Sequence, residues 1–181
     1  MTTALRVRKF DRFFDLLDTD GSGFVEAEDW ARTAKALIEG FGHPADSPRA
    51  SALRDTYARI HETVRSAMDT DGDGRVSREE FHVGIRAHVA DPALFDRTFR
   101  PAVDAEFDTA DLDGDGILDE TEIRGVWRVW GMSEADATSA MKHMDQDGDG
   151  QVTRDEYYAA WREYLMSEDP DAPGSWILGE L

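Results

Sequence analysis

Oxygen-bearing side chains recur at the same spacing in four separate twelve-residue segments of the chain. Each segment has Asp at positions 1 and 3, Asp or Ser at position 5, Gly at position 6 and an acid at position 12. Carboxylates held this close together repel one another unless a cation neutralises them. The spacing therefore predicts binding of a hard divalent cation. The segments run from Asp18 to Asp29, Asp69 to Glu80, Asp111 to Glu122 and Asp145 to Glu156.

Each position in the segment answers a demand of calcium coordination. Ca²⁺ takes six to eight oxygen ligands at about 2.3–2.6 Å, which short side chains on a tight turn supply. Glycine at position 6 adopts a positive φ without strain, position 7 gives a backbone carbonyl, and position 12 closes the site. The candidate ligands are Asp18, Asp20, Ser22, Phe24 and Asp29; Asp69, Asp71, Asp73, Arg75 and Glu80; Asp111, Asp113, Asp115, Ile117 and Glu122; and Asp145, Asp147, Asp149, Gln151 and Glu156.

The residues around these loops indicate how they are positioned. Apolar residues at helical spacing precede and follow each loop, which is typical of amphipathic helices. Position 8 is apolar in every loop, which predicts a short extended stretch that pairs with the neighbouring loop. The sequence predicts an all-α fold of four helix-loop-helix units in two pairs, packed into one compact unit, with a short β-bridge between paired loops. The position 8 residues are Val25, Val76, Leu118 and Val152.

The predicted organisation has three parts. An N-terminal pair over residues 1–90 holds loops 18–29 and 69–80, and a C-terminal pair over residues 91–166 holds loops 111–122 and 145–156. Residues 167–181 form a tail with apolar side chains at Trp176, Ile177, Leu178 and Leu181. We expect this tail to dock in the central groove between the pairs, and a frayed terminus is the alternative.

Composition excludes several classes of function. The chain has 39 acidic residues against 20 Lys plus Arg, a net charge of −19, which disfavours nucleic acid and anionic membranes as partners. It has no Cys, so thiolate sites are excluded, and no segment has the roughly 18 apolar residues that a membrane span needs. Because the N-terminus is too polar for a secretory signal, we expect a cytoplasmic location.

No residues are left over for catalysis. The five histidines show no HExxH spacing, and the chain contains no GxSxG elbow. The paired carboxylates all fall in the acidic loops. We therefore predict no catalytic residues, no bound organic cofactor and no enzymatic activity.

The four loops resemble the EF-hand calcium loop, and the whole chain resembles the calerythrin and sarcoplasmic calcium-binding protein group. The likeness rests on total length, on the long join Gly40–Pro48 between the first two loops, on the short break Ala90–Pro92, and on the C-terminal extension. It implies a compact fold with the pairs face to face and a role as an intracellular calcium buffer. Members commonly carry a degenerate loop, whereas all four loops are intact here, which leaves up to four calcium sites.

The loops are expected to differ in strength. In the third loop, Asp119 at position 9 adds a carboxylate, so this site is predicted to be the strongest. In the first loop, Asp29 at position 12 is one methylene shorter than Glu, which predicts a weaker or Mg²⁺-tolerant site that Glu26 compensates in part. We expect a monomeric buffer. The alternative is a sensor that exposes an apolar groove to a target protein, which the few, scattered Met residues disfavour.

Overall fold

The computed structural model describes residues 3–145 and 148–180. Within them the chain forms eight α-helices, four two-residue strands and a 3₁₀ turn, and none of these helices is long and apolar enough to cross a membrane. In chain order the elements are α1 (Ala4–Leu17), β1 (Phe24–Val25), α2 (Ala27–Gly40), α3 (Pro48–Met68), β2 (Val76–Ser77), α4 (Arg78–Ala90), α5 (Pro92–Ala110), β3 (Ile117–Leu118), α6 (Glu120–Val129), α7 (Glu134–Met144), β4 (Val152–Thr153), α8 (Arg154–Met166) and the 3₁₀ turn Pro173–Trp176.

The helices begin at local capping signals. Ser47 and Ser133 accept backbone N–H groups at the starts of α3 and α7, and Pro48 and Pro92 lie in the first turns of α3 and α5. The helices that leave the four loops, α2, α4, α6 and α8, each begin with a capping box whose third residue is the position 12 acid. The position 12 acid therefore starts a helix as well as ending a loop.

The strands join the loops in two pairs, as predicted. β1 runs antiparallel to β2 with Val25 opposite Val76, and β3 runs antiparallel to β4 with Leu118 opposite Val152. These four position 8 side chains are at most 1% exposed. Each pair of loops is thus held by a short β-bridge whose side chains enter the core.

One continuous hydrophobic core contains residues from all eight helices, which confirms the compact all-α prediction. α3 packs along α5, and α1 contacts α8, so the two pairs lie face to face. Phe13 of the N-terminal half shows the contact directly, since its ring centroid lies 6.2 Å from that of Phe99 and 5.6 Å from that of Trp161. The halves bury their apolar faces against each other rather than against solvent.

The C-terminal tail packs on α7 and α8. Ile177 and Leu178 are each 1% exposed, and the Trp176 ring stacks on His143 with 4.4 Å between centroids. Gly174 is needed there, because a Cβ atom would lie 2.4 Å from the Ala160 carbonyl oxygen of α8. The tail therefore lies on the C-terminal pair, whereas the space between the halves is lined by core side chains. Leu181, an expected docking residue, falls outside the described residues.

Lys9 connects the tail to the N-terminal half. Its side chain is fully buried, and its Nζ donates to the Ser167 carbonyl at 3.1 Å and to Ser175 Oγ at 2.8 Å. Burial lowers the pKa of Lys9 to about 8, against the attraction of Glu163. No sequence pattern predicts this contact, because the partners lie more than 150 positions away along the chain.

Candidate metal centres

The Asp at position 1 has the same partners in all four loops. One of its carboxylate oxygens accepts the backbone N–H of the position 6 glycine at 2.9–3.1 Å in every case. These glycines have φ between 79° and 88°, which explains why the pattern demands Gly at that position. The loop backbone therefore fixes the position 1 carboxylate. The pairs are Asp18 with Gly23, Asp69 with Gly74, Asp111 with Gly116, and Asp145 with Gly150.

Positions 3 and 5 are fixed by turns of the same kind. At position 3, Asp20, Asp71 and Asp113 each accept the N–H two residues further on, at 3.0–3.1 Å. At position 5, Asp73, Asp115 and Asp149 do the same at 2.8–2.9 Å, whereas Ser22 Oγ accepts the Phe24 N–H at 3.3 Å. Asp147 at position 3 of the fourth loop lies outside the described residues.

The described carboxylates converge into clusters of the size that a cation needs. In each of three loops, three acids offer oxygens that all lie within 4.8 Å of one another. Such clusters of hard oxygen donors with negative charge fit Ca²⁺ or Mg²⁺ rather than a soft metal. The clusters are Asp18, Asp20 and Asp29; Asp69, Asp71 and Asp73; and Asp111, Asp113 and Glu122.

The position 7 residues lie where the loop enters its strand. Phe24 and Ile117 are the first residues of β1 and β3, and Arg75 and Gln151 immediately precede β2 and β4. Their side chains differ in charge and size, as expected of a position that offers a carbonyl. The Phe24 carbonyl also accepts the Ser22 hydroxyl at 3.2 Å, so positions 5 and 7 of the first loop are in contact.

The position 12 acid bridges two parts of its loop. One oxygen accepts the N–H of position 2, and the other accepts the N–H of position 9, in the first three loops. In the fourth loop Glu156 accepts the Thr153 N–H of position 9 at 2.8 Å. Asp29 reaches both amides, at 3.0 Å from Thr19 and 2.8 Å from Glu26, although its side chain is shorter than that of Glu. Asp29 therefore makes the same two backbone contacts as Glu80 and Glu122.

The first loop also contains a cation from its own helix. Arg32 Nη2 donates to Asp20 Oδ2 at 2.9 Å and to Asp29 Oδ1 at 2.6 Å, and its Nε donates to Thr19 Oγ1 at 2.6 Å. The side-chain hydrogen bond with Asp29 is the main factor that raises the pKa of Arg32. Arg32 is not among the predicted site residues, because it lies three residues beyond the twelve-residue pattern.

Arg75 modifies the second loop. Its Nε and Nη2 donate to Asp73 Oδ2 at 3.1 and 2.8 Å, and its guanidinium lies 3.8 Å from the Phe24 ring centroid of the first loop. In the same loop, backbone hydrogen bonds from Ser77 and Thr70 lower the pKa of Glu80 to about 2, so this acid is ionised at neutral pH.

Among the first three loops, the position 12 acid of the third loop accepts the fewest hydrogen bonds. Glu122 accepts one N–H on each oxygen, from Leu112 at 2.7 Å and from Asp119 at 3.0 Å. Asp29 and Glu80 accept additional hydroxyl or guanidinium donors. Asp119 does not simply add a fifth free carboxylate, since its Oδ1 caps α6 by accepting the Glu122 N–H at 2.9 Å.

A buried acid lies outside the loops, between the two halves. Glu106 of α5 is 3% exposed and accepts hydrogen bonds from Tyr57 at 3.5 Å, from Trp130 Nε1 at 3.1 Å and from Tyr157. Burial raises its pKa to about 7, and the three hydrogen bonds oppose that rise. It borders an apolar cavity of about 50 Å³, which is much too small for a drug-sized ligand. Its partners come from both halves, so Glu106 joins them.

Comparison with known proteins agrees with this geometry. Family models of the EF-hand domain pair match residues 8–86, and residues 102–129 with 128–164. Calerythrin from Saccharopolyspora erythraea is 26% identical over 148 residues, which are 80% of this chain and 83% of that protein.

Two solved structures extend the likeness to the fold. One, described as the structural basis for prokaryotic calcium-mediated regulation by a Streptomyces coelicolor calcium-binding protein, is 31% identical with a TM-score of 0.80, over 89% of this chain and 98% of that one. A sarcoplasmic calcium-binding protein from amphioxus has a TM-score of 0.79 at 18% identity over 100% of both chains, which shows the fold alone. These relatives are calcium-binding proteins rather than enzymes. This chain is likewise a calcium-binding protein and not an enzyme. It belongs to the EF-hand calcium-binding proteins, in the group of calerythrin and the sarcoplasmic calcium-binding proteins.

Proposed function

We propose that this protein is a calcium buffer. The observation that carries the proposal is the packing of the two EF-hand pairs, whose apolar faces are buried against each other in one core. A sensor needs an apolar groove that it can offer to a target helix. Here the corresponding surface is occupied by the protein's own aromatic side chains, such as Phe13 against Phe99 and Trp161.

The proposed capacity is up to four Ca²⁺ ions, one in each loop. The proposed ligands are the side chains at positions 1, 3, 5 and 12 and the carbonyls of Phe24, Arg75, Ile117 and Gln151 at position 7. Clustered carboxylates in the first three loops support this assignment, and the fourth loop has the same sequence pattern. Asp147 completes the fourth set by sequence.

The first loop is proposed to be the weakest for calcium and the most tolerant of Mg²⁺. Its ligand set holds three carboxylates, from Asp18, Asp20 and Asp29, because Ser22 replaces the acid at position 5. The third loop has four, at positions 1, 3, 5 and 12. A shorter acid at position 12 also favours fewer bound oxygens, and Mg²⁺ prefers six at shorter distance.

Small-angle scattering with and without calcium tests the buffer proposal. A buffer should keep nearly the same radius of gyration when calcium is removed by chelation and restored. Binding of a dye that reports exposed apolar surface should also stay low in the calcium form. A large increase in radius or in dye binding upon adding calcium would contradict the proposal.

Deletion of the tail tests whether it covers apolar surface of the C-terminal pair. Deleting the residues after Pro170 uncovers the surface of α7 and α8 that Ile177 and Leu178 now cover. The shortened protein should bind more dye than the full chain in both calcium states. Trp176→Phe serves as the matched control, because it keeps a ring stacked on His143. Equal dye binding by the full and shortened chains would show that the tail covers no apolar surface.

A calcium sensor is the second candidate, and one observation favours it. The Streptomyces coelicolor protein, 31% identical to this chain, is described as acting in calcium-mediated regulation. If this chain shares that role, calcium should cause retention on an apolar resin and binding to a target protein. Retention that is the same with calcium and with a chelator would exclude the sensor.

The proposed buffer acts in the cytoplasm as a monomer. Light scattering coupled to size-exclusion chromatography should give the mass of one chain, 20.3 kDa, in both calcium states. Fractionation of the source cells tests the location.

A further inference from the structure

Arg32 occupies a position that differs among the four loops. It lies on the first turns of α2, three residues after the position 12 acid Asp29. The corresponding residues after the other three loops are Val83, Gly125 and Ala159, none of which carries a charge. The first loop is therefore the one with a cation at this place in the repeat.

The guanidinium group of Arg32 contacts the same acids that the repeat assigns to a metal ion. It lies 2.9 Å from Asp20 Oδ2 at position 3 and 2.6 Å from Asp29 Oδ1 at position 12. Its Nε also binds the hydroxyl of Thr19, which in turn donates to Asp29 Oδ1 at 2.8 Å. Asp29 Oδ1 thus accepts three donors, namely Arg32, the Thr19 hydroxyl and the Thr19 N–H.

These contacts have an electrostatic consequence for the loop. The three carboxylates of the first ligand set already hold one positive charge, so the net charge offered to an ion falls from −3 to −2. A guanidinium in contact with two ligand oxygens also repels any divalent ion that binds between them. In the third loop, by contrast, no arginine forms an ion pair with Asp111, Asp113, Asp115 or Glu122 within the described part of the chain.

We propose that Arg32 is a tethered cation that competes with divalent metal ions for the carboxylates of the first loop, and so sets the affinity of that site. The inference rests on the proposed function, since it assumes that the loop binds calcium. Arg32 must release Asp20 and Asp29, or share them, before these acids can bind an ion. The first loop should accordingly fill after the third, whose ligand acids form no such pair within the described residues.

The size of the effect follows from exposure. The Arg32 side chain is 42% exposed and Asp20 is 45% exposed, so solvent screens their attraction. Asp29 is only 2% exposed, but its pair with Arg32 is still screened on the arginine side. Ion pairs with an exposed partner are weak individually, and two of them together correspond to a change in affinity of about three- to tenfold. Added salt should reduce the difference, because screening weakens the attraction of Arg32 for both acids.

Amide signals of the position 6 glycines give a readout for each loop. Each of these N–H groups binds the position 1 carboxylate, so each should shift when its own loop takes up an ion. The experiment is a calcium titration of the full chain, monitored by NMR, in the wild type and in Arg32→Ala. The variant should lower the calcium midpoint of Gly23 about three- to tenfold and leave those of Gly116 and Gly150 unchanged.

Lys35→Ala is the matched control. Lys35 lies on the same helix and pairs with Glu39 at 2.6 Å, so the control removes one charge and one ion pair without touching a ligand. Its Gly23 midpoint should stay at the wild-type value. An equal shift in both variants would overturn the proposal in favour of a general charge effect, and a higher midpoint in Arg32→Ala would show that Arg32 aids binding by orienting the acids.

Val83→Arg transfers the feature to the second loop. Val83 is 52% exposed, so the substitution leaves the core intact. The Gly74 midpoint should rise in this variant, whereas an unchanged midpoint would count against competition from this position. If no glycine signal responds to calcium in any form of the protein, the proposed function itself fails. If the signals respond but Gly23 is indifferent to Arg32, the competition alone fails.

Discussion

The first and third loops share one twelve-residue pattern but differ in their electrostatics. The third loop has four ligand carboxylates, and Glu122 accepts a single N–H on each oxygen. The first has three, and Arg32 contacts two of them. The twelve-residue pattern therefore establishes where oxygens converge, whereas the charge available to an ion also depends on residues outside the pattern.

Removal of calcium should have the largest effect. When the free calcium concentration is a hundred times the dissociation constant of a site, binding at that site adds about 2.7 kcal/mol to the free energy of unfolding. Two such sites give about 5 kcal/mol, which corresponds to a fall in melting temperature of about 10–20 °C for a chain of this size. Melting curves followed by circular dichroism in calcium and in chelator measure the shift. Coincident curves would mean that the loops add nothing to stability.

Matched charge removals at position 12 should separate the two loops. Glu122→Gln takes a buried acid from the third loop and should weaken that site about a hundredfold. Asp29→Asn makes the same change in the first loop. It should reduce the total free energy of calcium binding much less than Glu122→Gln does, because the first site is already weak. Isothermal titration calorimetry of both variants measures the difference. Equal losses would show that the two loops contribute alike.

The pH dependence of stability should report the contact between the halves. The pKa of Glu106 is raised from 4.5 to about 7 in the folded protein. As pH rises from 4.5 to 7, the unfolded chain releases this proton while the folded chain keeps it, so stability falls across that window. Between pH 4.5 and 7, the wild type should lose about 3 kcal/mol of unfolding free energy relative to Glu106→Gln, and the difference should stay constant above pH 7.

Chemical unfolding of the wild type and of Glu106→Gln, both in excess calcium, measures this difference at several pH values. Tyr157→Phe is a useful companion, because it removes one of the three donors and leaves the acid in place. A difference between wild type and Glu106→Gln that does not change with pH would contradict the assignment.

Asp29→Glu should have the smallest effect and would sharpen the comparison. A longer acid at position 12 can offer both oxygens to the ion, which should raise the calcium affinity of the first loop several-fold and reduce its tolerance of Mg²⁺. Arg32 limits the gain, because it still contacts Asp20. Competition titration with both ions tests this, and unchanged affinity and stoichiometry would reject the account of Asp29.

Much of the fold can be predicted from the sequence, because the residue type at each loop position is determined by local backbone geometry and ion coordination. Glycine at position 6 and the apolar residue at position 8 follow from a positive φ and from strand pairing, so the loops, the β-bridges and the all-α packing were predicted. Ser133 caps α7 and Pro92 lies in the first turn of α5, and both are local signals of a helix start. These features depend on neighbours within a few residues.

The missed features depend on side chains that meet from further away or outside the repeat. Arg32 was readable in principle, since residues i and i+3 on a helix are neighbours and Asp29 is its i−3 residue. Glu106 carried a signal too, because it falls at helical spacing from Phe99 and Val103 on an apolar face. The site of tail docking and the Lys9 contacts had no local signal.

The central claim is that these oxygen clusters hold divalent ions, and counting bound calcium tests it most directly. Equilibrium dialysis of the full chain against calcium, with metal analysis of the protein compartment, should recover at least three ions per chain, with a fourth at higher concentration. Recovery of no retained calcium at millimolar concentration would contradict the account.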